Sequence, residues 1–301
     1  MDALRELSAA LANVVATNAP SVVRVEGRRR RAGTGVAWPE EGVIVTADHV
    51  LDREDGVHVG LADGGLVAAI IAGRDPSTDL AVLRIEGASP KPAVWSDLQD
   101  ARVGHVVLAL GRPGQTLRAR MGIIGTLGEG WRFPGGGEID RYLESDVGVV
   151  PGFSGGPLVD VSGRVLGINT AAMPGRRTIT IPTGTVRRVV PSLLAHGRIP
   201  RGYLGVGVQP VNLPAGLQQE LHQDSALLVT SVEPGSPAER AGILMGDTLT
   251  RVDDRPVGSP LELLNALTGE RIGVSVPLRL VRAGQTRDAV VVVGERGLQT
   301  A

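Results

Sequence analysis

The chain has 301 residues, enough for about two domains, and its 42% hydrophobic content can bury a core in each. A net charge of −1 lacks the positive field that dominates nucleic-acid affinity, so no nucleic-acid partner is expected. With no cysteine, disulfides, thiolate zinc sites and a cysteine nucleophile are excluded. No apolar stretch approaches the roughly 18 residues of a membrane span. Asp2 and Glu6 precede the first apolar runs, unlike a signal peptide. The chain as written is therefore expected to be soluble and cytoplasmic, or extracytoplasmic if it is a piece of a longer protein.

Over residues 2–17, Leu4, Leu7, Leu11, Val14 and Val15 recur at three- and four-residue steps, which predicts an amphipathic helix. From 21 to 181 the pattern changes to short β-branched runs punctuated by glycine: SVVRV, GTGVAW, GVIVT, VHVGL, LVAAIIAG, LAVLRI, VVLALG, MGIIGTL, RVLGINT and TITIP. Strands of this kind without long helices between them predict an antiparallel barrel or sandwich. The basic run 28–31 falls between the first two strands. There a solvated hairpin loop competes with a docking patch for acidic partners or lipid headgroups. Residues 183–196, with Val186, Val189, Val190, Leu193 and Leu194, predict a helix kinked or split at Pro191 and stopped by Gly197. A hinge at 196–202 divides the chain into domains 1–198 and 199–301. Beyond it, strands are predicted around 205–209, 226–232, 248–252, 277–281 and 289–293. A helix over 260–267 carries Leu261, Leu264 and Leu267 on one side.

Histidines stand at 49, 58, 105, 196 and 222, with no pair at i, i+4, so neither a metal site nor a cofactor is expected. The sharper signal is PGFSGGPL (151–158), in which Gly152, Gly155 and Gly156 surround Ser154. Without Cβ atoms, such a loop lets backbone N–H groups converge on a small anion. A serine among glycines also reads simply as a turn, so a nucleophile needs a base and a group to orient that base. VTADHVL places His49 just after a hydrophobic strand, and STDLAVLRI places Asp79 at the start of another. An imidazole can take the weakly nucleophilic hydroxyl's proton, while a carboxylate behind it fixes the tautomer. Asp48 is a competing carboxylate, but directly beside His49 it reads as a solvated turn residue. The other four histidines read as ordinary surface or core residues. The chain order His49, Asp79, Ser154 is that of the chymotrypsin class.

GTGVAW with VTADHV, DLAVLRI, PGFSGGPL, RVLGINT and, opening the second domain, RGYLGVGV together resemble the HtrA (Do-like, high-temperature-requirement) serine proteases, over about residues 7–293. The resemblance implies a mainly β fold: a chymotrypsin-like double six-stranded β-barrel followed by a PDZ domain. It implies Ser154 as nucleophile, His49 as base and acid, and Asp79 as orienting carboxylate. The N–H groups of Gly152 and Ser154 match the oxyanion hole, with that of Phe153 pointing near it. Relatives that cut after Arg or Lys carry an acid six positions before the serine, where Gly148 stands here. The pocket strand Ile168, Asn169, Thr170, Ala171 is uncharged as well. Cleavage after small aliphatic residues such as Val or Ala is therefore expected.

The resemblance further implies a serine endopeptidase of unfolded or damaged proteins, active in protein quality control and stress response. Loops at 128–141 and 172–177 would assemble its oxyanion hole. In the PDZ domain, the N–H groups of Leu204, Gly205 and Val206, after Tyr203, would hold a peptide's terminal carboxylate, with Leu261 and Leu264 on the nearby helix, and peptide binding would regulate the protease. The plainer alternative is that Gly202 and Gly205 only shape a strand entrance. Phe153 stands where the family carries Asn, which supports a rival reading as an inactive or resting-state holdase or peptide-sensing scaffold. Family trimers use aromatic residues near the N-terminus, and residues 1–27 contain none, so a homo-oligomer rests on the resemblance alone.

Overall fold

The computed structural model describes residues 2–28, 31–132, 137–148, 150–172 and 178–295. The middle of the basic run (29–30) and parts of the two expected activation loops (133–136 and 173–177) lie outside the described residues. Two compact units divide the chain, Met1–Ile199 and Pro200–Ala301.

In the first unit, α1 (Asp2–Asn18) leads into β1 (Val22–Glu26), β2 (Gly33–Ala37), β3 (Val43–Ala47), β4 (Val57–Gly60), β5 (Leu66–Asp75) and β6 (Leu80–Ile85). These strands close an antiparallel barrel in the order β1-β2-β3-β6-β5-β4. A second six-stranded barrel follows, β11-β14-β13-β12-β7-β8. It is built from β7 (Val106–Gly111), β8 (Arg118–Gly128), β11 (Tyr142–Ser145), β12 (Pro157–Asp160), β13 (Val165–Thr170) and β14 (Thr178–Pro182), with a short ribbon of β9 (Trp131–Arg132) and β10 (Glu138–Ile139) between β8 and β11. The unit ends in α2 (Thr183–His196).

Val43–Val45 of β3 and Leu80–Leu83 of β6 read as apolar runs because both faces are buried there. Ile44, Ala81 and Leu83 point into the first barrel with Val23, Val25 and Val59. Val43, Val45, Leu80 and Val82 instead join a cluster shared with Leu108, Leu110 and Ile168 of the second barrel and Val186, Val189, Val190 and Leu193 of α2. That shared cluster fixes the two barrels against each other, and the seam it creates carries the chemistry.

Three local expectations change. The α1 stripe is only partly used: Val14 is buried while Leu4 and Leu7 are exposed, because only the last turns reach the barrel, where Asn18 donates to the Gly163 carbonyl. α2 runs unbroken through the exposed Pro191, and Gly197 at φ +71° caps it. β11 and β12 have four residues each and escape the periodicity reading, because pairing with distant strands rather than local pattern makes them strands.

The second unit is built on a sheet ordered β16-β17-β18-β20-β21. It comprises β15 (Gly202–Tyr203), β16 (Val206–Asn212), α3 (Ala215–Leu221), β17 (Ser225–Val232), α4 (Pro237–Arg240), β18 (Thr248–Val252), β19 (Arg255–Pro256), α5 (Pro260–Ala266), β20 (Ser275–Arg282), β21 (Gln285–Val292) and β22 (Gly294–Glu295). β15 pairs with β22 apart from that sheet, and β19 pairs with β18. α5 buries Leu263 and Ala266, with Leu267 just beyond it, against the sheet. Leu261 and Leu264 are each 45% exposed, so the expected Leu261-Leu264-Leu267 side is divided: the contact face of the helix carries Leu263 and Ala266, each two positions past an exposed leucine.

Candidate active site

The site lies on the seam between the barrels. After β3 the chain makes one 3₁₀ turn, Asp48–Val50, and that turn is wrapped around Asp79. The Asp48 N–H donates to the Asp79 carbonyl (3.1 Å), and the His49 N–H donates to Asp79 Oδ1 (2.9 Å). Asp79 is itself in the left-handed region (φ +57°), a conformation aspartate tolerates better than most residues. This geometry turns its carboxylate back under the histidine. His49 Nδ1 lies 2.9 and 2.8 Å from the two Asp79 oxygens. A carboxylate can only accept, so Nδ1 carries the proton and Nε2 is left with its lone pair.

Asp79 is 3% exposed and has one further partner, the hydroxyl of Thr170, which donates to Oδ2 from β13 of the other barrel. From sequence, Thr170 reads only as a pocket residue. Its hydroxyl in fact bridges the barrels to the buried carboxylate. Asp48 is not solvated: it is buried and ion-paired with Arg74 (2.6 Å), which draws its carboxylate away from the imidazole. Arg74 is held above the ordinary arginine value chiefly by that hydrogen bond. His58, His105, His196 and His222 lie outside this cluster.

Ser154 arrives from the second barrel on a loop that demands glycine. A Cβ on Gly155 (φ +83°) would overlap the Thr34 carbonyl and Thr46 hydroxyl of the first barrel, and one on Gly156 would overlap the Leu110 carbonyl. Thr34 clamps the loop, accepting a hydrogen bond from Arg112 N–H (2.8 Å) while its hydroxyl donates to the Gly152 carbonyl (2.6 Å) and its N–H to the Ser154 carbonyl (3.0 Å). Sequence reasoning missed Thr34, because nothing local marks a residue whose partners lie 118 positions away.

Pro151 and Gly152 (φ +87°) form the centre of a turn closed by Phe153 N–H to the Val150 carbonyl (3.1 Å), the pattern of a type II turn. The Phe153 N–H is therefore engaged in the turn. Those of Gly152 and Ser154 donate to no other described residue. The Phe153 ring is buried in the second barrel's core with Val107, Leu143 and Leu158, not at the entrance. It packs where a Cβ on Gly111 would lie 2.8 Å from the ring, so Gly111 makes room for it.

Ser154 and His49 line one cleft without a hydrogen bond between them. Such contacts are often long in the unliganded state. Also at Ser154, a small recess is lined by Val147, Gly148, Val150, Phe153, Asn169, Thr170 and Ala171, and also by Arg120, which the sequence reading did not foresee. Ile168 of the expected pocket strand is instead fully buried in the cluster shared by the barrels, on the face of β13 opposite that of Asn169. Arg120 Nη1 donates to the Val147 carbonyl (3.4 Å).

In the second unit, Gly205 (φ +81°) passes so close to Ser236 that a Cβ would overlap it. The Leu204 side chain is buried in the core and its carbonyl accepts from Ala238 N–H (2.8 Å). Tyr203 donates its hydroxyl to Glu233. Val206 begins β16, an edge strand of the sheet. Exposed Leu261 and Leu264 lie on α5.

Two closed antiparallel barrels with serine, histidine and aspartate on their seam define a trypsin-like serine peptidase fold, followed here by a PDZ unit. The trypsin-like peptidase domain family matches residues 33–168, and the PDZ domain family matches 202–293. The chain is 33% identical to a probable periplasmic serine endoprotease DegP-like of Chlamydia trachomatis and 36% identical to one of Rhizobium meliloti, in each case over 90% of this chain. It spans about half the length of these curated relatives, 55% in each case. Among solved structures, the HtrA-type protease AlgW with tripeptide superposes at a TM-score of 0.74 with 31% identity, covering 95% of this chain and 97% of that one. The chain belongs to the HtrA family of trypsin-like serine proteases.

Proposed function

We propose that this chain is a serine endopeptidase, with catalysis in residues 1–198 and peptide recognition in 199–301. The observation that carries the reading is the grip of both Asp79 oxygens on His49 Nδ1, with Ser154 in the same cleft. His49 Nε2 takes the Ser154 proton as Oγ attacks the scissile carbonyl. The oxygen that becomes negative meets the unengaged N–H groups of Gly152 and Ser154. His49 then returns the proton to the leaving amine, and water, activated by the same imidazole, hydrolyses the acyl-enzyme. Casein digestion and fluorophosphonate labelling test this: Ser154→Ala abolishes both, and cleavage that survives the substitution refutes the assignment.

For the residue before the scissile bond we propose small aliphatic side chains such as Val or Ala. The recess beside Gly148 is small, about 20 Å³, and suits a short side chain. Arg120 on its wall disfavours a second cation, so a dominant preference for Arg or Lys in cleavage-site profiling would overturn this reading.

The second unit is proposed to bind peptide C-termini. The incoming strand would add to the β16 edge, its carboxylate would meet the N–H groups of Leu204, Gly205 and Val206, and its last side chains would lie against Leu261 and Leu264. Amidating a test peptide's C-terminus weakens binding in fluorescence anisotropy; equal affinity would exclude this mode. Stimulation of proteolysis by the free-acid peptide alone tests regulation. We also propose unfolded or damaged proteins as substrates and, from the relatives' names, a periplasmic setting. No described helix is long and apolar enough to cross a membrane. The holdase alternative leaned on Phe153, and with that ring in the barrel core no observation favours it.

A further inference from the structure

The small recess beside Gly148 and the cleft containing His49 share Val150, Ser154 and Ala171, so they adjoin at the nucleophile, while only the second is lined by His49. If the first receives the residue before the scissile bond, the His49 side receives those after it, because the imidazole must reach the leaving amine. The His49 cleft is far larger, about 260 Å³ against about 20 Å³, and admits a long side chain. Val50 and Pro151 form part of its apolar wall. Among the described residues lining it, the basic side chains besides His49 are Arg28 and Arg31, and none is a carboxylate.

Arg28 is steadied from outside by Asp52 (3.2 Å), whose own side chain is largely exposed. Arg31 has no carboxylate within ion-pair distance among the described residues. An unneutralised guanidinium at a concave, partly apolar wall concentrates positive potential where a substrate must lie. Its planar fork also matches a carboxylate, the anionic group that protein side chains supply.

We propose that Arg28 and Arg31 form a subsite for an acidic side chain, Asp or Glu, at the first or second position after the scissile bond. Cleavage is then selected where a small residue is followed closely by an acidic one. The inference rests on the endopeptidase reading and adds a specificity that the small recess does not supply. It assigns to Arg28 and Arg31, in place of a merely solvated loop, contact with acidic side chains of the substrate.

The test uses peptides identical except for Glu, Gln or Lys at the second position after a Val. Each is measured for kcat/KM with the full chain and for Kd with Ser154→Ala. The expected result is about a tenfold preference for Glu over Gln. It should shrink between about 0.1 M and about 1 M salt, as the screening length falls from about 10 Å to about 3 Å. Arg28→Glu/Arg31→Glu should invert the order in favour of Lys, a gain that a misfolded variant cannot produce. Equal Kd values for Glu and Gln on Ser154→Ala, or a Glu preference that persists in the charge-reversed variant, would overturn the subsite. If wild type cleaves no peptide, the endopeptidase reading fails, while the Kd ratios still decide the subsite.

Discussion

Both units bury carboxylates, and the partners of Asp79 (3% exposed) in the first and Asp247 (1%) in the second differ in kind. Both oxygens of Asp247 are held by Arg282, with Nε and Nη2 each at 2.7 Å, and Leu244 N–H adds a third bond at 2.8 Å. Burial pushes this carboxyl up, but the guanidinium and the Leu244 N–H outweigh it and hold it below the ordinary aspartate value. Asp79 has no such permanent cation among the described residues. It is held by an imidazole, a backbone N–H and a hydroxyl. A carboxylate locked to arginine has its charge already answered and acts as a structural tie. One facing an imidazole keeps its charge for the imidazolium that appears during turnover.

The contrast can be broken most sharply at Asp79. Asp79→Asn removes the acceptor that fixes the tautomer, and kcat should fall about 10⁴-fold with little change in melting temperature. Activity within tenfold of wild type would place Asp79 with the structural ties. Asp247→Asn should do the reverse, destabilising the second unit because Arg282 loses its counter-charge, while turnover of a short peptide is unchanged. Calorimetry on the full chain reads the first quantity and peptide hydrolysis the second.

The same residue gives a pH prediction. The folded carboxyl titrates below its unfolded value of about 3.8, so its stabilisation is present above that pH and is lost as pH falls through the folded value. Asp247→Asn should therefore flatten the acid limb of the second unit's stability curve, and an unchanged slope would contradict the pairing. A smaller effect is expected at Thr170→Val, which deletes one bond to Asp79: about a tenfold loss of kcat at nearly constant KM. The smallest belongs to the capping box of α5, where Ser259 accepts from Glu262 N–H (3.3 Å) and Glu262 accepts from Ser259 N–H (2.9 Å). Ser259→Ala should cost about 1 kcal/mol in denaturant unfolding and leave the active site untouched.

Much of this was legible in one dimension. Repeated apolar strands, the glycines around Ser154 and the order His49, Asp79, Ser154 pointed to barrels and to acyl transfer, because burial and nucleophile activation constrain residue type strongly. Less legible were side chains with two plausible roles. Asp48 reads as a solvated turn residue until Arg74, 26 residues on, takes its carboxylate. Phe153 reads as an obstruction until Gly111 opens a place for its ring. Arg120 carries no local mark of a pocket residue, since strand pairing alone brings it beside Gly148.

The amino-acid sequence by itself determined which groups are available for chemistry, and where the chain must be buried, bent or free of a Cβ, since these follow from side-chain type and short spacing. Only the tertiary structure decided which buried carboxylate faces a histidine and which an arginine, and which cleft at Ser154 the arginines line. Those outcomes depend on contacts such as Thr170 to Asp79 across 91 residues, and closing two barrels onto one seam is what creates them.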